Sequence, residues 1–373
     1  MDTNKPTTER NLNFELLRII AMFMVVMLHV NLFGGLLSEY KPTLYPVPFL
    51  VSNFIEFLCI IAPNLYVLIS GYFLSNKKYP FKIEKLFYLI LVTCFWSWMI
   101  GLVSCLFLKA NIGDFLFNGI FPVLSRRYWF VTDYIVLYML SPFYNIILQN
   151  INRAQHIWLL IVLLLFFSVA HLLWEPINLN KGYSLYWFSY LYVQASFIRK
   201  YDLKIHIKTL VFIWGVILII QLVGIYYTML YELNFMRIKV FNFNYNSLFV
   251  LINSTCCFLL FKSLTIKKGK SIIGVLSSLT FGIYLIHINP TIISWLFKQV
   301  LPIKTFAGTQ PFSVLLSLLL FTILIFSVSC LLEYFRKQLF LLCRVHSKIE
   351  SLSSYIERKL RCICGIVDPE EKK

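Results

Sequence analysis

Charged side chains are scarce in this sequence, because Asp, Glu, Lys and Arg together make up 14% of its 373 residues. Soluble globular proteins average about 25%. Hydrophobic residues make up 59% of the chain, and the mean hydropathy is +0.75. The sequence therefore predicts an all-α polytopic membrane protein. The net charge of +17 does not indicate nucleic-acid binding, because the basic residues cluster between the apolar segments, as in cytoplasmic loops of membrane proteins.

The sequence also lacks the small-residue cleavage site that would end a signal peptide after the first apolar run. We therefore expect that run to remain in the protein as a transmembrane helix. The nine cysteines show neither metal-ligand nor disulfide spacing, so we expect no bound metal. The chain has no internal repeat and no low-complexity stretch.

Ten apolar segments are each near the ~20 residues that a helix needs to cross a bilayer. They lie at approximately 12–33, 48–74, 84–108, 128–148, 156–175, 185–198, 208–230, 245–264, 272–297 and 311–334. Lys and Arg are more frequent in the loops that are cytoplasmic when the N-terminus is placed inside, which predicts that both termini are cytoplasmic. We therefore expect a bundle of about ten transmembrane helices over residues 1–335.

The segment 336–373 follows a different pattern. Apolar residues recur at spacings of three and four between Leu342 and Ile363, and basic residues lie among them. This pattern is typical of a basic amphipathic helix on a membrane surface. We therefore expect a cytoplasmic tail that lies on the inner leaflet, with a short coiled coil between two copies as the alternative.

Arg18 and His29 are two ionisable residues inside the first apolar segment. Eleven residues of helix make almost three turns, so both side chains lie on nearly the same face, roughly 16 Å apart along the axis. An ionisable group at membrane depth costs about 3 kcal/mol or more and is a candidate functional residue. With the N-terminus inside, Arg18 lies in the cytoplasmic half and His29 in the outer half. Glu15 is placed to pair with Arg18 at i, i+3.

Three further ionisable residues are expected in the outer half, namely Glu56, Asp133 and His287. Together with His29 they predict a polar cavity that opens to the outside. A histidine can act as a general base towards a hydroxyl group, and an arginine can bind phosphate. This arrangement suits either proton-coupled transport or transfer of a group from a cytoplasmic anionic donor to an outer acceptor, and composition does not choose between them.

Four segments, in this order along the chain, resemble the integral-membrane acyltransferase family 3. They are Arg18 and His29 with ten residues between them, Ser-Gly-Tyr-Phe-Leu at 70–74, Trp129 and Phe130 followed by Tyr138 and Pro142, and Phe-Gly-Ile-Tyr-Leu-Ile-His at 281–287. The matches fall across about residues 13–290, which is nearly the whole bundle.

The resemblance implies an O-acyltransferase, most simply an O-acetyltransferase. Such an enzyme moves an acyl group from cytoplasmic acetyl-CoA to a hydroxyl of an extracytoplasmic or lipid-linked glycan, with His29 as base or acyl carrier. The expected catalytic residues are His29, Arg18, Asp133, Glu56 and His287. The expected donor-binding residues are Arg18, Lys77, Lys78, Lys82 and Lys85, and the expected acceptor-binding residues are Trp129, Tyr134, Tyr138 and Tyr284. The expected structural residues are Glu15, Ser70 and Gly71, through ion pairing and close helix packing.

The sequence departs from the family pattern in two places. Glu15 stands where the family often has Asp, which keeps the charge. The inner loop after 70–74 carries lysines where the family usually has arginines, and lysine binds phosphate as a point charge rather than as a planar fork. Some members carry a C-terminal extracellular hydrolase-like domain. None is found here, so we expect the chain to act alone or to pass its acyl group to another protein.

Two alternatives remain open at this stage. A transporter or flippase for lipid-linked sugars or polysaccharide often shows inverted repeats, and none is found. An acyl-CoA-binding sensor without catalysis would have lost Arg18, His29 or His287, and all three are present. The expected location is the bacterial plasma membrane. The expected partners are membrane lipid and a glycan or glycolipid acceptor, with a second copy of the chain or polysaccharide-assembly proteins as further options. No cofactor is expected beyond acetyl-CoA as the donor substrate.

Overall fold

The structure is a computed structural model that describes residues 11–77, 81–108, 112–172 and 179–363. These residues form helices and connecting turns without any strand, so the all-α prediction is confirmed. The helices of ten or more residues are α1 (Leu12–Phe33), α2 (Pro46–Cys59), α3 (Ala62–Leu74), α4 (Ile83–Phe107), α5 (Trp129–Asn150), α6 (Arg153–Leu164), α7 (Leu185–Lys200), α8 (Ile207–Leu230), α9 (Leu248–Ser263), α10 (Lys270–His287), α11 (Pro311–Leu342) and α12 (Val345–Ile363).

Seven helical segments within the described ranges are long and apolar enough to cross a membrane, and the polytopic prediction is confirmed in this sense. They are α1, α2 together with α3, α4, α5, α8, α10 and α11. The shorter apolar helices Arg153–Val169 and Leu248–Ser263, and the 16-residue α7, fall in three other predicted segments. The count of ten spans and the cytoplasmic termini therefore stay predictions.

Helix α1 lies at the centre of the bundle and packs against α2, α3, α10 and α11. Its side chains Leu17, Ala21 and Val26 are completely buried. A helix that is apolar on all sides is stable only when it is enclosed by other helices or by lipid. Arg18 and His29 are therefore carried by a helix that lies inside the protein rather than at its rim.

The second predicted span is broken into α2 and α3. Pro63 lies in the first turn of α3, and α2 ends at Cys59, four residues earlier. A proline ring clashes with the carbonyl of the residue four positions before it and has no N–H to donate. The break therefore follows from Pro63. It allows Asn64 to donate to the Tyr245 carbonyl oxygen at 3.0 Å, which joins α3 to the segment before α9.

The segment between α3 and α4 contacts α5 at both of its ends. The Asn145 side chain donates to the carbonyl oxygens of Leu74 at 2.9 Å and Lys77 at 3.1 Å. The Lys82 N–H donates to the hydroxyl of Tyr138 at 2.8 Å. Since Tyr138 and Asn145 are about 10 Å apart along α5, the chain rises by about that distance between Lys77 and Lys82. The lysines at the start of α4 therefore lie deeper in the bundle than Lys77.

The last apolar helix extends beyond residue 335, where the bundle was expected to end. Helix α11 continues to Leu342, and Arg336 within it is only 3% exposed. The guanidinium group of Arg336 is paired with the buried carboxylate of Glu333. Arg336 therefore does not belong to a surface tail. The amphipathic helix of the tail begins at Val345 and packs against α4.

Candidate active site

A cavity of about 520 Å³ runs beside α1 and is lined by Arg18 and His29. Arg18 lines one end and His29 lines the other, and the side chains of Met22 and Val25 lie between them on the same wall. The rest of the wall comes from α2, α3, α4, α5 and α10 and from the segments that precede α7 and α9. Ligand-binding cavities for small molecules typically have volumes of this size.

His29 is in contact with His287, the last residue of α10. Nδ1 of His29 lies 2.9 Å from Nε2 of His287, and the ring centroids are 5.0 Å apart. His287 is 1% exposed. Because α1 packs closely against α10, the last turn of α10 brings His287 to the outer half of α1. The two histidines, separated by 258 positions in sequence, thus form one site.

The backbone determines which nitrogen of each ring carries hydrogen. Nδ1 of His287 lies 2.5 Å from the carbonyl oxygen of Ile283. A carbonyl oxygen only accepts, so this Nδ1 must carry a proton. In neutral His287, Nε2 is then an acceptor, and Nδ1 of His29 donates to it. His29 is left with an unprotonated Nε2, which is the form a general base requires.

Glu56 lies at the same end of the cavity as His29 and is held by a buried network. The Asn31 amide donates to Oε2 of Glu56 at 2.8 Å and to the carbonyl oxygen of Ser52 at 3.0 Å. The Ser52 hydroxyl donates back to Oδ1 of Asn31 at 2.8 Å. Asn31 is two residues after His29 on α1. The end of this helix therefore carries His29 and also holds the Glu56 carboxyl group in place.

Aromatic rings form the wall around this end of the cavity. Trp129 lies 4.4 Å from Tyr183 and 5.6 Å from Tyr245 between ring centroids, and it is stacked on Tyr245. Tyr284, one turn before His287, also lines the cavity. Tyr183 and Tyr245 were not predicted, because both lie in loops where an isolated tyrosine has no periodic signal. The break at Pro63 indirectly positions Tyr245 through Asn64.

The opposite end of the cavity is cationic. Arg18 pairs with Glu15 one turn earlier, and its side chain remains 30% exposed. Nζ of Lys85 lies 5.9 Å from the Tyr134 ring, and Ser70 donates to the Tyr134 hydroxyl at 3.3 Å. Arg18, Lys85, Ser70 and Tyr134 all line the cavity. Tyr134, expected to contact the acceptor, therefore lies among the residues expected to bind the donor.

Lys77 and Lys82 lie near Lys85 but do not line the cavity. Partial burial, followed by the charges of Lys85 and Lys82, lowers the pKa of Lys77 below its usual 10.5. A cluster of positive charges creates a potential that attracts an anion. Lys78 lies outside the described residues.

Two predicted site residues lie elsewhere. Asp133 forms an ion pair with Arg126, whose Nη2 is 2.9 Å from Oδ2. Arg126 also donates to the carbonyl oxygen of Tyr183 at 2.6 Å, so Asp133 anchors the loop that supplies Tyr183 rather than touching His29. Tyr138 was expected beside the acceptor, but it is 1% exposed and packs under Lys85 at 4.6 Å. The side chains of Asp133 and Tyr138 do not line the cavity, because other residues of α5 face it.

Gly71 lies outside the cavity and permits close packing between α3 and α7. A Cβ atom at Gly71 would lie 2.9 Å from Cβ of Ala195 and 3.1 Å from Cα of Tyr192. These distances are shorter than ordinary carbon contacts of about 3.5–4.0 Å. The glycine thus brings the helices together below the cavity, where Ser70, its neighbour, faces the cavity itself.

A bundle of apolar helices that encloses a histidine pair at one end of a cavity and cations at the other defines an integral-membrane protein with an enzyme-like site. Comparison with known protein families matches residues 11–334 to family 3 of the acyltransferases, described as an acyltransferase domain. The chain belongs to this family and is a membrane acyltransferase. The resemblance drawn from the four sequence segments is confirmed. Neither curated proteins nor solved structures gave a match.

Proposed function

We propose that this protein is an O-acyltransferase that moves an acyl group, most simply acetyl, from cytoplasmic acyl-CoA to a hydroxyl of an extracytoplasmic or lipid-linked glycan. The observation that carries the proposal is the single cavity lined by Arg18 and Lys85 at one end and by His29 at the other. A donor with an anionic head and a slender arm fits that polarity. Membership of an acyltransferase family favours this function over transport of a lipid-linked sugar.

The donor would bind with its nucleotide phosphates at the cationic end. Arg18 and Lys85 line the cavity there, and Lys77 and Lys82 lie beside Lys85. Phosphates are too strongly hydrated to enter a bilayer core, so they would stay on this side. The pantetheine arm of CoA is comparable in length to the separation of Arg18 and His29 along α1, roughly 16 Å. The thioester would then lie near His29.

The transfer requires one proton to move twice. Nε2 of His29 takes the proton of the acceptor hydroxyl as its oxygen attacks the thioester carbonyl carbon. The tetrahedral intermediate collapses, the carbon–sulfur bond breaks, and the imidazolium of His29 returns the proton to the leaving thiolate. The products are the ester and CoA thiol. His287 would stabilise the imidazolium by accepting from Nδ1, as the buried acid does in a catalytic triad.

The acceptor would lie between Glu56 and the aromatic wall. The Glu56 carboxyl is held by Asn31 and reaches the cavity, so it can accept a hydrogen bond from a second hydroxyl and orient the first towards His29. Trp129 and Tyr183 offer ring faces, against which the apolar faces of sugars stack. A polyhydroxylated acceptor fits both features. We also propose that the protein acts in a bacterial plasma membrane.

The test uses inverted membrane vesicles supplied with labelled acetyl-CoA. His29→Gln should reduce transfer of label to the luminal glycan by roughly 10²- to 10⁴-fold, because general base catalysis contributes about that factor. His206→Gln is the matched control, since His206 is exposed and caps α8. Wild-type transfer by the His29 variant would contradict the catalytic role. Labelled material that enters the lumen without forming an ester would indicate transport, and binding alone would indicate a sensor.

A further inference from the structure

The C-terminal helix α12 has one face that no other described part of the chain covers. Lys348, Leu352, Tyr355 and Lys359 recur at spacings of four, three and four, which places them on one side of the helix. Leu352 is 50% exposed and Tyr355 is 55% exposed. Nζ of Lys359 lies 5.5 Å from the Tyr355 ring. Two apolar side chains thus lie side by side between two exposed lysines.

An adjacent side of α12, about a third of a turn around the helix, is packed on the protein. Ile349 and Ser353 are 7% and 5% exposed, and α12 contacts α4. The His346 ring stacks on Tyr88 of α4 with centroids 4.8 Å apart. The helix is therefore held by its inner face, and the face with Leu352 and Tyr355 points away from the bundle.

The charges of α12 are separated between the two sides. At 100° per residue, Glu350 and Glu357 lie roughly opposite the face that carries Lys348 and Lys359. Arg344, just before the helix, adds a further exposed positive charge at its start. Along the helix axis, the outward face is therefore apolar in its middle and positive at both ends. The acidic residues lie on another side of the helix.

The chain itself places this face at a membrane surface. Helix α11 is long and apolar enough to cross a membrane and ends at Leu342. Only Cys343 and Arg344 separate it from α12, and Arg344 has a positive φ of 52°, which reverses the chain direction. Helix α12 therefore begins three residues after the end of a helix that contains a candidate span. Its own charged residues exclude it from crossing the bilayer.

We propose that the outward face of α12 is a docking surface for anionic phospholipid of the adjacent leaflet. Leu352 and Tyr355 insert between headgroups, and Lys348 and Lys359 contact lipid phosphates. Exposed apolar residues flanked by lysines are what a helix needs to lie in a membrane interface. The positive ends of the face select anionic lipid, since each basic residue near such a surface strengthens binding about five-fold. The orientation with cytoplasmic termini puts α12 on the leaflet that carries these lipids.

The test measures amide hydrogen exchange of residues 345–363 in the full-length protein, reconstituted as one copy per lipid nanodisc. One set of discs contains phosphatidylcholine alone, and the other contains phosphatidylcholine with phosphatidylglycerol. Exchange should be slower in the anionic discs, on the order of ten-fold, because undocking exposes the outward face and loosens the helix. Equal exchange in both lipid compositions would overturn the proposal.

Two variants identify the groups responsible. Lys348→Glu with Lys359→Glu should remove the difference between the two lipid compositions. The control is Lys267→Glu with Lys268→Glu, which makes the same change in net charge at exposed positions before α10 and should keep the difference. Leu352→Ser with Tyr355→Ser alters only exposed side chains and should weaken protection in anionic discs without unfolding the bundle. Protection that appears only in discs with two copies would assign the face to a second chain and overturn the lipid assignment.

Discussion

His29 and His287 are joined by a single proton that lies between Nδ1 of one ring and Nε2 of the other, 2.9 Å apart. Since Nδ1 of His287 donates to the Ile283 carbonyl oxygen, the chain of contacts runs from a backbone acceptor through His287 to His29. Such a chain selects one tautomer of the reactive ring. It also holds that ring against rotation towards the apolar wall of the cavity.

We predict that His287→Phe lowers kcat by roughly 10- to 100-fold, as loss of a group that orients a reactive histidine commonly does. The ring shape is kept, but Nδ1 of His29 loses its acceptor. The KM for acyl-CoA should change little, because the proposed site for the donor head is at the other end of the cavity. Steady-state kinetics in proteoliposomes measure both constants.

His287→Gln is the matched comparison for this prediction. Its amide oxygen can accept from Nδ1 of His29, so its kcat should fall between the wild-type value and that of the Phe variant. The two variants should also differ in the pH dependence of kcat, because only the Gln variant keeps a partner for the imidazolium. Equal kcat values for wild type and the Phe variant would show that His287 does not orient His29.

Lys85 should act on donor binding alone. We predict that Lys85→Gln raises the KM for acetyl-CoA by about ten-fold, since one hydrogen bond to a charged group contributes about 1.5 kcal/mol or more. Acetyl-pantetheine lacks the nucleotide phosphates, so the KM for this truncated donor should be the same in the variant and the wild type. Lys267→Gln, at an exposed position away from the cavity, is the control. An equal rise for both donors would place Lys85 next to the thioester instead.

Much of the candidate site could be predicted because helix periodicity places residues on a known face. Arg18 and His29 are on one helix, and eleven residues of rise determine their separation. His287 was expected near His29 from its depth in the bundle. The break in the second span was not predicted, although Pro63 is visible in the sequence, because the apolar pattern continues across it.

Contacts between distant segments were predicted less well. Asp133 was expected near His29 because of its depth in the bundle, but depth does not determine which way a side chain faces. In the structure its partner is Arg126, which lies in a loop. Tyr183 and Tyr245 lie in loops whose course depends on packing rather than on period. Glu333 was missed as well. Its partner Arg336 is three residues later on the same helix, but the predicted span ended at residue 334 and Arg336 was assigned to the tail.

If the donor binds as proposed, the charge of Lys77 should make its binding depend on pH. Its pKa lies below the usual 10.5, because of partial burial and the charges of Lys85 and Lys82. As pH rises, Lys77 therefore becomes neutral before an ordinary lysine does, and its attraction for phosphate is lost. We predict that, in the wild type, the Kd of CoA rises at pH values below the usual lysine pKa of 10.5. Lys77→Arg stays charged over this range and should show a smaller rise in Kd by titration calorimetry. Identical profiles would show that Lys77 does not contact the donor.

Glu333 and Arg336 form an ion pair away from the cavity, with side chains 2% and 1% exposed. Oε2 of Glu333 also accepts from Nε1 of Trp96 at 2.8 Å. A Cβ atom at Gly282 would overlap with the Glu333 carboxyl group, so α10 packs directly against this pair. Gly282 is one turn before Ile286 and His287, and the pair therefore sets the position of the helix that carries His287.

We predict that Arg336→Met destabilises the protein by about 3 kcal/mol or more, because it leaves a buried carboxylate without its counter-charge. The double variant Arg336→Met with Glu333→Gln should be much closer to the wild type, since it removes both charges while Gln can still accept from Trp96. Thermal unfolding of the purified proteins in one detergent measures the difference. If the double variant is as unstable as the single one, the loss comes from packing of the arginine stem rather than from the unpaired charge. If neither variant is destabilised, the pair does not hold α10, and the position of His287 must depend on its contacts with α1 alone.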